Sequence, residues 1–285
     1  MSDFVTLVEM SPRDGLQNEK NLITTADKIK LINLLSECGF LKIEATSFVS
    51  PKWVPQLGDA ADVMAGITRQ EEVVYSVLTP NLRGFEGAVE ANADEVAIFT
   101  SASEGFCQKN INCSIAESIE RFAPIMEAAK LKNIPVRGYV SCVTDCPYDG
   151  ATPPSKVADV SKALMDMGCF EVSLGDTIGS GTPEKVSNLL NAVLEQVPAS
   201  KLAGHFHDTS NTALDNITVS LEAGLRVFDS TVGGLGGCPY APGAKGNVAT
   251  EHVIELLHQA GYATGLDLNQ VKEVARFAKT LSTAS

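Results

Sequence analysis

Short apolar runs alternate with longer amphipathic stretches from one end of the chain to the other. The apolar runs are rich in β-branched and aromatic residues and are bounded by turn residues, which is typical of buried strands. The pattern predicts eight strands, at 4–9, 40–46, 73–78, 95–100, 134–141, 170–175, 202–207 and 226–231.

The stretches between these strands carry apolar residues at every third or fourth position, the spacing of one helix face. Three of them close on a glycine, Gly39, Gly168 or Gly224, and glycine commonly ends a helix. The spacing predicts helices at 24–38, 114–132, 154–168, 183–197 and 211–224.

About eight β–α alternations in one undivided chain favour an α/β fold of the (β/α)8 TIM-barrel type over an open doubly wound sheet. Barrel closure also accounts for the absence of an obvious edge strand. We expect a single domain over 1–285, with the barrel at about 4–260 and a C-terminal helix at about 267–282. A glycine-rich lid loop would follow the last strand.

Composition narrows the possible partners. The 285 residues carry a formal net charge of -13, which argues against nucleic acid and anionic membranes as partners. An anionic substrate would need a local cationic pocket. Seven cysteines without disulfide-framework spacing indicate a reducing compartment. With no secretory signal and no long apolar run, we expect a cytoplasmic protein of bacterial type with no membrane segment.

A barrel would place its chemistry at the mouth, where the strands end at their carboxyl termini. Arg13 and Asp14 follow the first strand, and Gly15 permits a tight turn there. An ordinary surface turn explains that segment equally well. Glu44 and Asp176 stand at two other strand ends, although such acids are more often salt-bridge partners or helix caps, and Asp176 could be an N-cap.

His205 and His207 occupy alternate positions of the seventh predicted strand, so both point to one face. They are two of only four histidines, and a metal site explains them better than a buried core does. Asp14 and Asn247 could supply oxygen ligands, because the first, seventh and eighth strands are neighbours in a closed barrel. Mn²⁺, Mg²⁺ and Zn²⁺ all suit such a set. The pairs Cys107/Cys113 and Cys142/Cys146 lack zinc-finger spacing.

Cys238 lies within the segment GLGGCPYAPGAKGN at 234–247. A small residue in a turn is the simplest interpretation. Flanking glycines and proline favour a lid that closes over the mouth and delivers a thiol as general acid or base. From the residues alone, we expect a metal-dependent barrel enzyme with an arginine electrophile and a thiol-bearing lid.

Six segments, in order along almost the whole chain, together carry a family resemblance: VEMSPRDGLQNEK, IEATSFVSPKWVPQ, KNINCSI, GDTIG, GHFHDT and GLGGCPYAPGAKGN. They resemble the 3-hydroxy-3-methylglutaryl-CoA (HMG-CoA) lyases, within the metal-dependent TIM-barrel lyases and Claisen-condensing enzymes. The condensing synthases share the RDG and HxH elements, but their loop typically has Gly-Glu-Arg where this chain has Gly-Cys-Pro. Gly233 stands where the lyase loop usually has alanine.

The resemblance implies a carbon–carbon lyase that cleaves HMG-CoA to acetoacetate and acetyl-CoA, in leucine degradation or ketone-body formation. It implies a divalent cation, Mg²⁺ or Mn²⁺, and maps the metal ligands onto Asp14, His205, His207 and Asn247. The catalytic residues implied are Arg13, Glu44, Asp176, His205 and Cys238. Asp176 is the first candidate for the base that accepts the C3-hydroxyl proton, and His205 is the second.

The expected partner is an acyl-CoA, whose phosphates require cationic contacts. The expected substrate-binding residues are Arg13, Gln17, Lys20, Lys52, Lys109 and Lys245, the lysines lying in predicted mouth loops. A solvated surface charge is the alternative for each lysine. We also expect a homo-oligomer, a dimer or larger, although the tail KTLSTAS lacks the cysteine that links subunits in some animal members.

Three alternative functions remain. A lyase for a longer 3-hydroxy-3-alkylglutaryl-CoA would differ only in the width of its acyl pocket. A condensing acyltransferase would join acetyl-CoA to a 2-oxo acid. A catalytically silent barrel that binds acyl-CoA or metal is disfavoured, because it has no physical need for the ligands, the arginine and the lid thiol together.

Overall fold

The computed structural model describes residues 3–237 and 246–283. Its strands, in chain order, are β1 (Thr6–Glu9), β2 (Lys42–Ser47), β3 (Val74–Leu78), β4 (Glu95–Ser101), β5 (Val136–Ser141), β6 (Asp145–Cys146), β7 (Gly150–Ala151), β8 (Glu171–Asp176), β9 (Leu202–Phe206) and β10 (Val227–Ser230). Its helices are α1 (Thr25–Ser36), α2 (Ala60–Gly66), α3 (Leu82–Glu90), α4 (Glu104–Ile111), α5 (Ile115–Lys132), α6 (Pro154–Met167), α7 (Pro183–Leu194), α8 (Ala213–Glu222), α9 (Thr250–Gln259) and α10 (Leu268–Thr283).

Eight of these strands form a closed barrel in the order β1-β10-β9-β8-β5-β4-β3-β2. Each barrel strand therefore neighbours the ones before and after it in the chain, as repeated β–α units require. The short strands β6 and β7 pair antiparallel with each other outside the barrel. The predicted TIM-barrel fold is confirmed.

The barrel strands are buried because helices cover parallel sheets, so their sequences read as continuous apolar runs. Every residue of β8 is buried, including Asp176 at its end. Asp176 therefore belongs to the strand, and its interpretation as a helix cap is wrong. Thr182 caps α7 instead, its side chain accepting a hydrogen bond from the backbone N–H of Lys185.

All eight predicted strands are present, with ends that differ by up to two residues. The five predicted helices are also present, and α10 matches the predicted C-terminal helix. The apolar spacing does not predict α2, α3, α4 and α9. The first three have seven to nine residues and therefore show few turns of periodicity. Gly39, Gly168 and Gly224 adopt φ values of 93°, 107° and 100°, as expected of glycines that follow helices.

The chain packs as two compact units, one running to Val96 and resuming at Phe228, the other spanning Ala97–Val227. In the first unit, α10 buries Val271 and Ala278, and Lys30 of α1 lies 4.4 Å from the ring centroid of Phe277. In the second, Leu164 of α6 is buried. The single domain over 1–285 stays a prediction.

None of the described helices combines the length and the apolar character that a bilayer span demands.

Helix α5 begins with a complete capping box. The Ser114 hydroxyl accepts the N–H of Glu117 at 3.2 Å, and the Glu117 carboxylate accepts the N–H of Ser114 at 2.8 Å. This reciprocal pair satisfies two N–H groups that the helix itself leaves without partners.

We expect Ser114→Ala to lower the free energy of unfolding by about 1 kcal/mol, because the N–H of Glu117 loses its acceptor. Denaturant titration followed by far-UV circular dichroism would measure the change. Glu120→Gln, on the exposed face of the same helix, should change it far less. Equal effects of the two substitutions would show that the cap contributes nothing specific.

Candidate active site

Arg13 is held between two carboxylates directly after β1. It lies in a π-helical turn, Ser11–Gly15, and its side chain is buried. Its Nε and Nη2 donate to Oε2 of Glu44 at 3.1 and 2.9 Å, and its Nη1 donates to Oδ1 of Asp14 at 2.6 Å. Glu44 comes from β2, where the register with β3 shifts between Glu44 and Thr46. The guanidinium therefore has a fixed orientation.

Asp14 also forms a hydrogen-bonded pair with Asn247, in the same compact unit as Arg13 and Glu44. The Asn247 Nδ2 donates to Oδ2 of Asp14 at 2.7 Å and to the carbonyl of Leu235 at 3.3 Å. These bonds fix the amide so that Oδ1 is buried, and within the described part of the chain it has no hydrogen-bond partner. A buried oxygen without a donor fits a site that receives a cation or a ligand hydroxyl.

Glu9, at the end of β1, is a site residue that the sequence reasoning missed. Its fully buried carboxyl accepts the N–H of Ser11 at 2.9 Å, the N–H of Val232 at 3.1 Å and the Thr250 hydroxyl at 2.8 Å, and it also accepts the Ser11 hydroxyl. Burial raises its pKa from 4.5 to about 7, although these hydrogen bonds act in the opposite direction. The sequence did contain a signal for Glu9, because an acidic residue there ends an otherwise apolar strand.

Two glycines make a very close backbone approach beside Asn247. A Cβ on Gly246 would lie 1.8 Å from the carbonyl oxygen of Gly236. Gly236 itself has a φ of 104°, and a Cβ there would lie 2.8 Å from Nδ2 of Asn247. Neither position can carry a side chain without moving the backbone that holds the amide.

The histidine pair lies in the second unit. His205 is in β9, and His207 follows directly after that strand. Their ring centroids are 5.4 Å apart and their planes are inclined by 43°. His205 is half-buried and His207 is buried, so both imidazoles lie in a partly desolvated environment.

Asp176 lies on the neighbouring strand, β8, with both carboxylate oxygens in use. Oδ1 accepts the Thr144 hydroxyl at 2.7 Å, and Oδ2 accepts the N–H of Gly181 at 2.9 Å. Burial raises the pKa of this carboxyl, against the lowering effect of those hydrogen bonds. Its carbonyl accepts the N–H of His207 at 3.4 Å, which ties the end of β8 to the histidine motif.

In the first unit, Asp14 offers a carboxylate oxygen and Asn247 an amide oxygen. In the second unit, His205 and His207 offer imidazole nitrogens. Oxygen and nitrogen donors of these kinds suit Mg²⁺, Mn²⁺ or Zn²⁺. In contrast, Cys107, Cys113, Cys142 and Cys146 are buried free thiols.

The remaining predicted substrate contacts differ in their placement. Gln17 is half-buried, and Lys20 and Lys52 are exposed in the segments after β1 and β2, as predicted. The prediction of a loop at Lys109 is wrong. This lysine lies near the end of α4, where Ser103 supplies an N-cap that makes the segment helical. Cys238 and Lys245 lie outside the described residues.

The protein is a closed parallel barrel that carries polar groups at its strand ends: Arg13 bound to Glu44, Asp14 bound to Asn247, and the two histidines. Such groups at this end of a barrel are typical of TIM-barrel enzymes. The family model described as HMGL-like matches residues 4–278. The chain therefore belongs to the HMGL-like family, as the resemblance implies.

Individual relatives agree with this membership. Hydroxymethylglutaryl-CoA lyase, mitochondrial, of Gallus gallus is 56% identical over 273 residues, which cover 96% of this chain and 92% of the relative. The crystal structure of the HMG-CoA lyase from Brucella melitensis is 61% identical, with a TM-score of 0.98 and coverage of 99% and 100%. An HMG-CoA lyase from Acenitobacter baumannii, in complex with coenzyme A and 3-methylmalate, is 38% identical, with a TM-score of 0.94 and coverage of 99% and 92%.

The raised pKa of Glu9 gives a pH-dependent contribution to stability. Between about pH 4.5 and pH 7 the folded protein keeps a proton that the unfolded chain releases, so stability falls as the pH rises through this range. Glu9→Gln keeps the shape and removes the titration. We expect the unfolding free energy of the wild type, relative to this variant, to fall by about 3 kcal/mol across that range.

Denaturant titrations of both proteins from pH 4.5 to pH 8 would measure this difference. Glu72→Gln, at an exposed position, is the matched control. A difference between wild type and Glu9→Gln that stays constant with pH would contradict a raised pKa at Glu9.

Proposed function

We propose that this protein is a carbon–carbon lyase that cleaves HMG-CoA to acetoacetate and acetyl-CoA with the help of a divalent cation. The observation that carries the proposal is the buried Arg13, held by Glu44 and by the same Asp14 whose carboxylate is bound by Asn247. Similarity to HMG-CoA lyases over nearly the whole chain supports the choice of substrate.

Asp14, His205, His207 and Asn247 would hold the cation. The buried Asn247 Oδ1 and the chemistry of the oxygen and nitrogen donors support this set. A bound Mg²⁺ or Mn²⁺ would lower the pKa of the substrate's C3 hydroxyl and neutralise charge on its carboxylate.

Arg13 would act on the thioester end of the substrate. When the bond between C2 and C3 breaks, its electron pair passes to C2 and the thioester oxygen gains negative charge as an enolate forms. A guanidinium already fixed by Glu44 and Asp14 needs no reorganisation to stabilise that charge. Glu44 would be a positioning residue, since its carboxylate is fully buried against Arg13 rather than open to substrate.

The C3-hydroxyl proton needs an acceptor, and the geometry favours His205 over Asp176. Asp176 is fully buried, and both of its oxygens already accept hydrogen bonds from Thr144 and Gly181. His205 is half-buried, so a substrate can reach it more easily. In this assignment, Asp176 fixes the end of β8 beside the histidines and acts as a positioning residue.

Cys238 would donate the proton that converts the enolate carbon into the methyl group of acetyl-CoA. Its place in the glycine-rich segment 234–247, which ends at Asn247, supports this role, as does the Gly-Cys-Pro sequence typical of the lyases. The proton balance closes, because one proton leaves the hydroxyl and one is added to C2.

Lys20, Lys52, Lys109 and Lys245 would face the phosphates of CoA, which an acidic protein can bind only through local cations. The relative that binds coenzyme A supports an acyl-CoA as substrate. The homo-oligomer and the cytoplasmic location stay predictions, and the chicken relative is named as mitochondrial.

The decisive experiment is release of acetoacetate from HMG-CoA by chelator-stripped protein, with and without added Mg²⁺ or Mn²⁺. We expect no turnover without metal and restored turnover with either ion. Folded protein that releases no acetoacetate with either ion would overturn the proposal. Longer acyl-CoA substrates, and acetyl-CoA with pyruvate, would then distinguish the longer-chain lyase from the condensing enzyme.

We expect Arg13→Gln to lower kcat by about 10²–10³-fold while KM changes much less, because the contact strengthens only as the enolate forms. Steady-state kinetics measure both constants, and circular dichroism establishes that the variant folds. Arg83→Gln, at an exposed arginine, is the matched control. A change confined to KM would make Arg13 a substrate anchor instead.

A further inference from the structure

Trp53 is the only tryptophan in the chain, and its exposed fraction is 84%. Such exposure is unusual, because an indole ring gains most from burial. The residue follows β2 at its carboxyl end, on the same side of the barrel as Arg13, Glu44 and Asp14. A large apolar ring in water beside a candidate active site suggests a ligand that covers it.

The backbone that carries Trp53 is held firmly. The N–H groups of Trp53 and Val54 both donate to the carbonyl of Ser50, at 2.9 and 3.1 Å, and prolines at 51 and 55 restrict the chain on either side. The exposed ring is therefore displayed by a defined turn.

A buried amide joins this turn to the segment after β1. Gln56 donates to the carbonyls of Glu19 and Asn21 at 3.3 and 2.8 Å, and its Oε1 accepts the N–H of Ile23 at 2.9 Å. Its side chain is buried, and Lys28 donates to its carbonyl. Residues 19–23 and 50–57 therefore form one surface, which we call the Gln56 platform.

The Gln56 platform presents two lysines and two apolar side chains to solvent. Lys20 and Lys52 are exposed, Leu22 is 71% exposed, and Trp53 is the most exposed aromatic residue in the described part of the chain. In a chain with a net charge of -13, cations beside an exposed indole suit a ligand that combines an aromatic base with phosphates.

We propose that Trp53 stacks on the adenine of the substrate's CoA, while Lys20 and Lys52 on the same platform face its phosphates. This inference rests on the proposed function, because it assumes an acyl-CoA substrate. The adenine lies at the end of CoA remote from the acyl group, so Trp53 would contribute binding and would not touch the reacting atoms.

The test compares two substrates, HMG-CoA and HMG-pantetheine, which lacks the adenosine and its phosphates. We expect Trp53→Ala to raise KM for HMG-CoA about tenfold, within the range of one base–aromatic stack, with kcat unchanged. KM for HMG-pantetheine should not change. Trp53→Phe should restore most of the affinity, because a phenyl ring can also stack.

The matched control is Leu131→Ala on α5, whose side chain is also 84% exposed and which no binding role includes. An equal rise in KM for both substrates in Trp53→Ala would overturn the stacking, as would no rise for either. A change of oligomeric state on sedimentation would assign Trp53 to an interface between copies instead. Wild-type protein that cleaves neither substrate would refute the proposed function itself, and the two failures are therefore distinguishable.

The single tryptophan also gives a direct binding signal. Excited at 295 nm, where adenine does not absorb, its fluorescence should be quenched by CoA and by adenosine 3′,5′-bisphosphate but not by pantetheine. Quenching by all three ligands, or by none, would contradict a stack on the base.

Discussion

The part of the candidate site that lies in the first compact unit depends on the carboxyl group of Glu9. It receives hydrogen bonds from Ser11, Val232 and Thr250, which begin the π-helical turn, a 3-10 turn and α9 respectively. Segments more than two hundred residues apart in sequence therefore share one acceptor. Because the group is buried, the N–H groups of Ser11 and Val232 would otherwise be unpaired, at a cost of about 1–3 kcal/mol each.

Charge at the site is balanced by direct contact rather than by solvent. Arg13 lies between Glu44 and Asp14, and Asp14 is also bound by the amide of Asn247. Removing one member of a buried pair leaves an uncompensated charge, which typically costs about 3–5 kcal/mol. The arrangement therefore keeps the guanidinium charged and correctly oriented before substrate arrives, which is the condition for stabilising an enolate.

Much of this could be predicted from the sequence, because strand and helix periods are local and the histidine spacing is itself geometric. The eight strands, the positions of Arg13 and Asp14, and the shared face of His205 and His207 all follow from short-range patterns. The short helix α4 was not predicted, since eight residues show only about two turns of apolar spacing. That error placed Lys109 in a loop. Glu9, Gln56 and the burial of Asp176 depend on contacts distant in sequence, which no local period reveals.

The close approach of Gly236 and Gly246 also limits how the chain can vary. Most steric conflicts in a protein can be relieved by a second substitution, because the obstructing atom belongs to a side chain. Here the obstacle to a side chain at 246 is the carbonyl oxygen of residue 236, which every amino acid possesses. No replacement at 236 can compensate, so position 246 lacks the epistatic partner that would allow its glycine to drift.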